Sequence, residues 1–393
     1  MNTLKIDIGC GPVLKNGFIP HDIKDGNNAQ DLSKYADESV DEIHASHVLE
    51  HLERWEVQPT IKEWSRALKP NGRLEIAVPD FEVIADAYVK NKSLGRAAGY
   101  VMGGGTDEND FHKTIWDEET LRRLCFAENL NCIGKYDGLN GAERLPVSLN
   151  LAFIKRPCVR IQLPLKDVII AMSTPRLSWT DNVENMMSVC FQLGCKVHRH
   201  TGAFWGQCLE IAMGRCIEDP DCRYILTCDY DTIFDADDVA ALYRTMERHP
   251  DMFALCSMQV HRDKDALLAN MIDENGAPLT KINYEDTLTD AIRIKTGAFG
   301  LTLIRVSKLA LLPHPWFMGV PNQSGEWGEG RTDDDIHFWK KANELGLKCY
   351  IAPQVRIGHL QVMCTWMNEF MQVEHQYVSD YRASGRPKNC RTL

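Results

Sequence analysis

No apolar run in these 393 residues approaches the ~20 needed to span a bilayer, and no two of the fourteen cysteines form a CxxC pair. Basic charge is short as well. Lys and Arg number 44 against 55 Asp and Glu, and the excess is shared, −6 up to Arg156 and −5 beyond it. A nucleic-acid module would carry a basic patch and a positive balance, so the acidity counts against a nucleic-acid partner. Internal repeats and low-complexity segments are missing too. The opening, MNTLKIDIGCG, has an acid where a secretory signal would keep its apolar core. With many cysteines inside apolar patterns (Cys125, Cys190, Cys228, Cys256, Cys349), the expectation is a cytoplasmic protein with reduced, buried thiols and no membrane span. The oligomeric state stays open.

What is present is ordinary globular composition, 44% hydrophobic and 25% charged, in a chain long enough for two domains. The stretch KRPCVRIQLPLK places a polar, proline-containing connector between two strand-like runs, SLNLAFI (148–154) and DVIIAMS (167–173). The expected division is a first domain over 1–157, a linker over 158–166 and a second domain over 167–393.

The first domain alternates patterns. LKIDIG (4–9), GFIPHDI (17–23), DEIHAS (41–46) and GRLEIAVP (72–79) read as strands; 47–69 and 117–130 have helical spacing. That order implies a parallel α/β sheet, with ligands beyond the C-terminal strand ends where strand order reverses. DIGCGP sits at that end of the first strand. Glycines at 9 and 11 allow a sharp turn and close ligand approach, and Asp22 stands at the end of the second strand, where an acid can hold a ribose.

Together with HDI, DLS, SVDEIHASHVLEHL, EWSRALKPNGRLEIAVPDF and FHKTIWDEETLRRL, this stretch resembles the class I S-adenosylmethionine-dependent methyltransferases, in their short bacterial and phage form, over nearly all of residues 4–155. The resemblance implies a Rossmann-like domain in which Asp7, Gly9 and Gly11 form the loop under the methionine part of S-adenosylmethionine. Asp22 would hold the ribose, and Asp31 with Leu32 would flank the adenine. His47 would begin the helix facing the methyl group. The first crossover is abridged, with eleven residues from Gly11 to Asp22 against ~20 in the usual dinucleotide fingerprint, and Val13 stands where a third glycine often occurs. His47, His51 and His112 are the candidate bases for deprotonating a methyl acceptor, each with a plainer reading as a capping or half-buried histidine; His47 is the chosen one.

The second domain is again α/β but has neither a P-loop nor G-x-G-x-x-G. Its notable run is ILTCDYDTIF (225–234), an apolar strand ending in Asp229 and Asp231. Residues i and i+2 of an extended chain face one side, so the pair would sit side by side and bind a divalent cation that in turn holds a diphosphate. Asp229-Tyr230-Asp231 with its surroundings resembles the D-x-D motif of GT-A fold glycosyltransferases. Three later segments, TGAFGLTLIRVSKLALLPHPWF (296–317), TDDDIHFWKKANELG (332–346) and CYIAPQVRIGHL (349–360), follow in that family's order.

The resemblance implies that Asp229, Asp231 and His359 hold Mn2+ or Mg2+ and that Asp335, with Asp334 as second choice, is the general base of an inverting transfer. Asp333 is expected to cap the helix. Trp316 and Trp327, in the long loop 313–331, could stack on a sugar or pack the loop down. Residues 365–381 have helical spacing. The expected protein is a bifunctional enzyme that moves a sugar from a UDP- or GDP-linked donor onto a glycan or glycoconjugate and methylates it, on the same acceptor. One alternative makes the first domain a non-catalytic cofactor-binding or docking module; another makes the whole chain a glycan-binding protein with a structural ion.

Overall fold

The computed structural model describes residues 3–390 apart from 12–14, 106–109, 139–140, 158, 160, 176–178, 262–265, 274, 280–286 and 368–369. Val13, noted above, lies outside the described residues. The chain forms two compact units, Met1–Cys158 and, apart from the short stretch Tyr284–Leu288, Val159–Leu393.

The first unit contains β1 (Lys5–Ile8), β2 (Ile19–His21), β3 (Val40–Ser46), α1 (Arg54–Ala67), β4 (Leu68–Pro79), α2 (Phe81–Asn91), α3 (Ala97–Met102), α4 (Glu118–Ala127), β5 (Leu130–Lys135) and β6 (Ser148–Lys155). The sheet order is β2-β1-β3-β4-β6-β5. β1 pairs in parallel with both β2 and β3, so the strand order reverses at β1, and the crevice beyond its C-terminal end is a switch point. β6 runs antiparallel between β4 and β5.

Two sequence expectations shift. Helical spacing over 47–69 resolves into a 3-10 turn, Leu49–His51, followed by α1 from Arg54, so His47 does not begin a helix. The Glu56 carboxylate accepts the Glu53 N–H at 2.9 Å and fixes the later start. Val57, Ile61 and Trp64 form the buried stripe of α1. The strand expected over 72–79 starts at Leu68, which pairs with Val40 before an irregularity brings Arg73 opposite Glu42.

The second unit contains β7 (Val168–Thr174), α5 (Thr180–Leu193), β8 (Lys196–Thr201), α6 (Trp205–Ile217), β9 (Tyr224–Asp229), β10 (Thr232–Ile233), α7 (Ala236–Arg248), β11 (Met252–Met258), β12 (Asn270–Met271), β13 (Ile292–Thr296), β14 (Leu301–Arg305), α8 (Val306–Leu309), α9 (Asp334–Glu344), β15 (Lys348–Arg356) and β16 (Gly358–His359). Eight strands form one mixed sheet, β12-β13-β15-β11-β14-β9-β7-β8. β7, β8 and β9 are parallel, and β14 is inserted antiparallel between β9 and β11.

Both faces of this sheet are covered. Ile169 and Ala171 pack with Leu209 and Met213 of α6 and Phe338 and Trp339 of α9, while Val168 and Ile170 pack with Val189 of α5 and Leu242 of α7. Burial on two faces explains why the strands read as continuous apolar runs. Phe338 and Trp339 are fully buried, each worth ~2–3 kcal/mol by removal from water, and they fix the helix that carries Asp334 and Asp335.

Of the helical spacing over 365–381, only the last residues, from Val378, are helical among the described residues. Met363–Met367 (β17) and Val373–Tyr377 (β18) form an antiparallel hairpin, followed by α10 (Val378–Ser384). Along β17 the burial alternates, with Cys364 and Trp366 turned inward, and this period of two overrides the helical pattern. Trp366 packs against Tyr381 and under the Arg386 guanidinium.

Candidate active sites

At the switch point of the first unit the backbone turns through Gly9 (φ +63°) and Gly11 (φ +55°). A Cβ on Gly9 would lie 2.5 Å from Val48 Cγ2, so both conformation and space demand glycine there. Asp22, nearly buried, accepts the Gly11 N–H at 2.8 Å through Oδ2 and the Lys24 N–H at 2.9 Å through Oδ1. Asp22 thereby ties the glycine loop to the end of β2. Asp31 is exposed and accepts the Ser33 N–H, and Ser33 holds its carboxyl below the usual range. The Leu32 side chain is wholly in the core, and its N–H goes to Glu63 Oε1 at 3.2 Å.

Asp7 lies behind this loop. Its Oδ2 accepts the Lys15 N–H at 2.8 Å, and Oδ1 meets His44 Nδ1 at 2.6 Å; His44 Nε2 meets Glu143 Oε1 at 2.5 Å. All three side chains are buried. Burial alone would push the imidazole pKa down, but the hydrogen bonds and charges of the two carboxylates raise it to about 9. A cation between two buried acids stabilises the fold fully below His44's ordinary value of 6.5, and that contribution is lost as pH rises through about 9. Replacing His44 with glutamine is expected to cost about 3 kcal/mol at neutral pH. Urea unfolding at pH 6.5 and 9.5 checks this: the difference between wild type and variant should shrink at the higher pH.

His47 occupies a left-handed turn (φ +54°) directly after β3. Its Nδ1 is 2.9 Å from Glu50 Oε1 and its Nε2 is 3.1 Å from Ser148 Oγ. It lines a cavity of about 570 Å³ with Glu50, His51, Arg96, Tyr100 and His112. The three histidines singled out from the sequence thus share one cavity. Burial lowers the His112 pKa. Glu50 escaped the sequence reading, because an acid within apparent helical spacing looks like part of a solvated face; the 3-10 turn instead buries it completely.

In the second unit, β9 ends at Asp229 and the chain turns through Tyr230 and Asp231. Extended alternation therefore stops before the second acid, which stands in the turn and not on the strand. Asp229 Oδ1 accepts the Trp205 Nε1–H at 2.8 Å. Asp231, 1% exposed, has Oδ2 3.5 Å from His359 Nε2. The approach is set by a short ladder: β10 pairs antiparallel with β16, Thr232 opposite His359, and the Leu360 N–H donates to the Asp231 carbonyl at 2.7 Å. His359 Nδ1 faces the Val260 carbonyl at 2.8 Å. A carbonyl only accepts, so Nδ1 carries a proton, and Nε2 is the ring nitrogen turned toward Asp231.

Asp229, Asp334, Asp335 and His359 line one cavity of about 420 Å³, with Trp205, Gln259 and Phe299. Asp334 and Asp335 open α9. Asp334 Oδ2 accepts the Gly206 N–H at 3.0 Å, and a Cβ on Gly206 would stand 2.4 Å from that oxygen, so α6 and α9 meet through a glycine. Burial pushes the Asp335 carboxyl up to about 6; the Ile336 N–H at 2.7 Å opposes this, and Asp334 and Asp333 add to it. Asp333 does occupy the N-cap position but makes no capping hydrogen bond, because its carboxylate pairs with Arg331 at 2.7 Å. Trp316 is buried, with its ring N–H on the Leu312 carbonyl, and packs the loop. Trp327 is exposed, and it lines a neighbouring cavity that shares Asp334.

Residues 22–76 match the family model described as a methyltransferase domain. The matched span includes Asp22, Asp31, Leu32 and His47 and begins after the glycine loop. No curated protein matches the chain. Similar solved structures include an S-adenosylmethionine-dependent methyltransferase from Methanosarcina mazei (17% identity, 40% of this chain and 94% of that one, TM-score 0.28). Another is the corresponding enzyme from Archaeoglobus fulgidus (16%, 39% and 86%, 0.26), and a third is a protein of STIV (12%, 53% and 94%, 0.34). The chain is a mixed α/β protein whose first unit has a Rossmann-like sheet, and residues 22–76 of that unit match the methyltransferase-domain model. Among the described residues no helix is long and apolar enough to cross a membrane.

Proposed function

We propose that the chain is a two-domain transferase acting on a carbohydrate or glycoconjugate, the second unit adding a sugar from a nucleotide-sugar donor and the first methylating the same acceptor. The observation that carries the sugar-transfer reading is the 420 Å³ cavity, where Asp229, Asp334, Asp335 and His359 converge from distant parts of the chain. The donor set fits a divalent cation: a buried carboxylate and an imidazole whose Nε2 stands 3.5 Å from it. Asp231 and His359 would hold Mn2+ or Mg2+, with Asp229 beside them. Bound there, the ion would offset the negative charge that grows on the diphosphate leaving group.

The chain's own residues do the rest. Asp335, with a carboxyl pKa near 6, is ionised at neutral pH and basic enough to take the acceptor hydroxyl's proton. Asp334 is occupied in joining α9 to α6, which leaves the base role to Asp335. The acceptor oxygen then bonds to the anomeric carbon as the bond to the diphosphate breaks, with inversion.

In the first unit, the turn that only glycine fits at position 9, and Asp22 at the end of β2, suit S-adenosylmethionine, whose sulfonium supplies the methyl group. Asp31 and the Leu32 backbone would flank the adenine, and Asp7 supports the loop from behind. His47, oriented by Glu50, would take the acceptor's proton. A second reading, a cofactor-binding module without turnover, is favoured by the abridged first crossover, eleven residues from Gly11 to Asp22.

The test incubates the protein with UDP- and GDP-sugars and Mn2+, then adds S-adenosylmethionine. The right donor at 100 times its Kd should stabilise the fold by about 2.7 kcal/mol, turn over, and lose turnover with EDTA. The product should then gain a methyl group. If no nucleotide sugar stabilises the protein, the sugar-transfer reading falls. Cofactor binding without methyl release selects the module.

A further inference from the structure

We infer that Glu50, His51 and His112 form a second, separate divalent-metal site, in the methyltransferase domain, whose open position takes an oxygen of the methyl acceptor. The identity of that oxygen rests on the methyl-transfer reading; the metal site does not.

One ligand atom from each of the three residues lies within 4.8 Å of the other two, and among the described residues this is the single group of three His, Cys, Asp or Glu side chains so arranged. Ligand atoms ~2.1 Å from a common ion lie about 3–4 Å apart, so small rotations of the side chains close the shell. Spacing by itself would mean little. Two further features point to an ion.

The first is Glu50. Its side chain is wholly buried, Oε1 meets His47 Nδ1, and Oε2 has no hydrogen-bond partner. A buried carboxylate oxygen without a donor is costly, and a cation is the partner that removes the cost. The second is the way both imidazoles are held. His51 Nδ1 faces the Phe111 carbonyl at 3.2 Å, and His112 Nδ1 faces the Tyr100 carbonyl at 3.0 Å. Each Nδ1 must therefore carry a proton, so in the neutral ring each Nε2 is the nitrogen with a lone pair for a metal. That is the outer support characteristic of metal-bound histidine, fixing tautomer and ring orientation. The rings stand edge to face, 5.0 Å between centroids, as two neighbouring ligands would.

Two imidazoles and a carboxylate suit zinc, manganese, cobalt or iron(II) better than calcium or magnesium. Three protein ligands leave a position open, and the 570 Å³ cavity lies against all three residues. An acceptor hydroxyl bound there would be acidified by the ion. Its proton passes to His47, its oxygen bonds to the methyl carbon, and the carbon–sulfur bond breaks with its electron pair left on a neutral thioether sulfur. Glu50 serves both centres, one oxygen on His47 and the other on the ion.

The experiment uses the full chain, stripped of metal and carrying Asp231→Asn and His359→Ala so that the other proposed site is silent. Titration with cobalt(II) is followed by visible absorption. One equivalent should bind with the d–d bands of a nitrogen- and oxygen-ligated ion, and His51→Ala or His112→Ala should each weaken binding by at least about 100-fold. Calorimetric titration with S-adenosylmethionine checks that each variant is folded, and Glu50→Gln, nearly isosteric, gives an independent loss if a histidine variant fails that check. Absence of the cobalt spectrum, or binding that none of the three substitutions weakens, overturns the site. Cobalt binding without any methyl transfer upholds the site and overturns only the methyl-transfer reading.

Discussion

Replacing Asp335 with asparagine should slow sugar transfer by about 10²–10⁴-fold while raising the unfolding temperature at pH 7. The two effects have one origin. Burial holds the Asp335 carboxyl near 6, against an ordinary value of 3.8. Below about 3.8 both folded and unfolded chains are protonated there. Between the two values the folded chain keeps a proton that the unfolded chain has released, so stability falls as pH rises through this window. At neutral pH the ionised side chain costs on the order of 3 kcal/mol, which asparagine removes while keeping shape. Initial rates and calorimetry on one preparation check both halves. A variant that is stabilised yet fully active would transfer the base role to Asp334. The wild-type rate should also fall below pH 6, where Asp335 is protonated.

Asp231→Asn should reduce the proposed sugar transfer by about 10³-fold or more, since the lost carboxylate would anchor an ion worth several kcal/mol of charge stabilisation. Asparagine keeps the volume, and the Asp231 carbonyl still accepts the Leu360 N–H, so the local ladder survives. Binding of S-adenosylmethionine, measured by calorimetry, should be unchanged. Loss of both would mean that the two activities do not divide between the two units.

Much of this was legible because it is periodic. The apolar runs of β7 and β9 and the stripe of α1 follow from sequence spacing alone. Asp335 and His359 could be picked out because each stands in a segment with its own signal, an acidic helix start and a closing strand. What escaped depended on partners far along the chain. His44 gains its charge from Asp7 and Glu143, 37 and 99 residues away, and Trp205 reaches Asp229 across 24. No local pattern announces such pairs. The hairpin at 363–377 was misread because helical and alternating patterns overlap in a short amphipathic stretch, and cross-strand pairing decided between them. The end of β9 at Asp229 was hidden because a strand's last residue cannot be told from its neighbours.

The short ladder between β10 and β16 has a consequence for the order in which this chain becomes an enzyme. β15 completes the eight-stranded sheet, and the apolar cluster on its α5–α7 face has its last buried member at Ile357. His359 comes two residues later. During synthesis all eight strands of the large sheet emerge before the imidazole that meets Asp231 does. Stability and the proposed sugar-transfer chemistry are thus written successively along the chain, so a chain clipped just short of His359 would keep the eight-stranded sheet and lose the imidazole that meets Asp231.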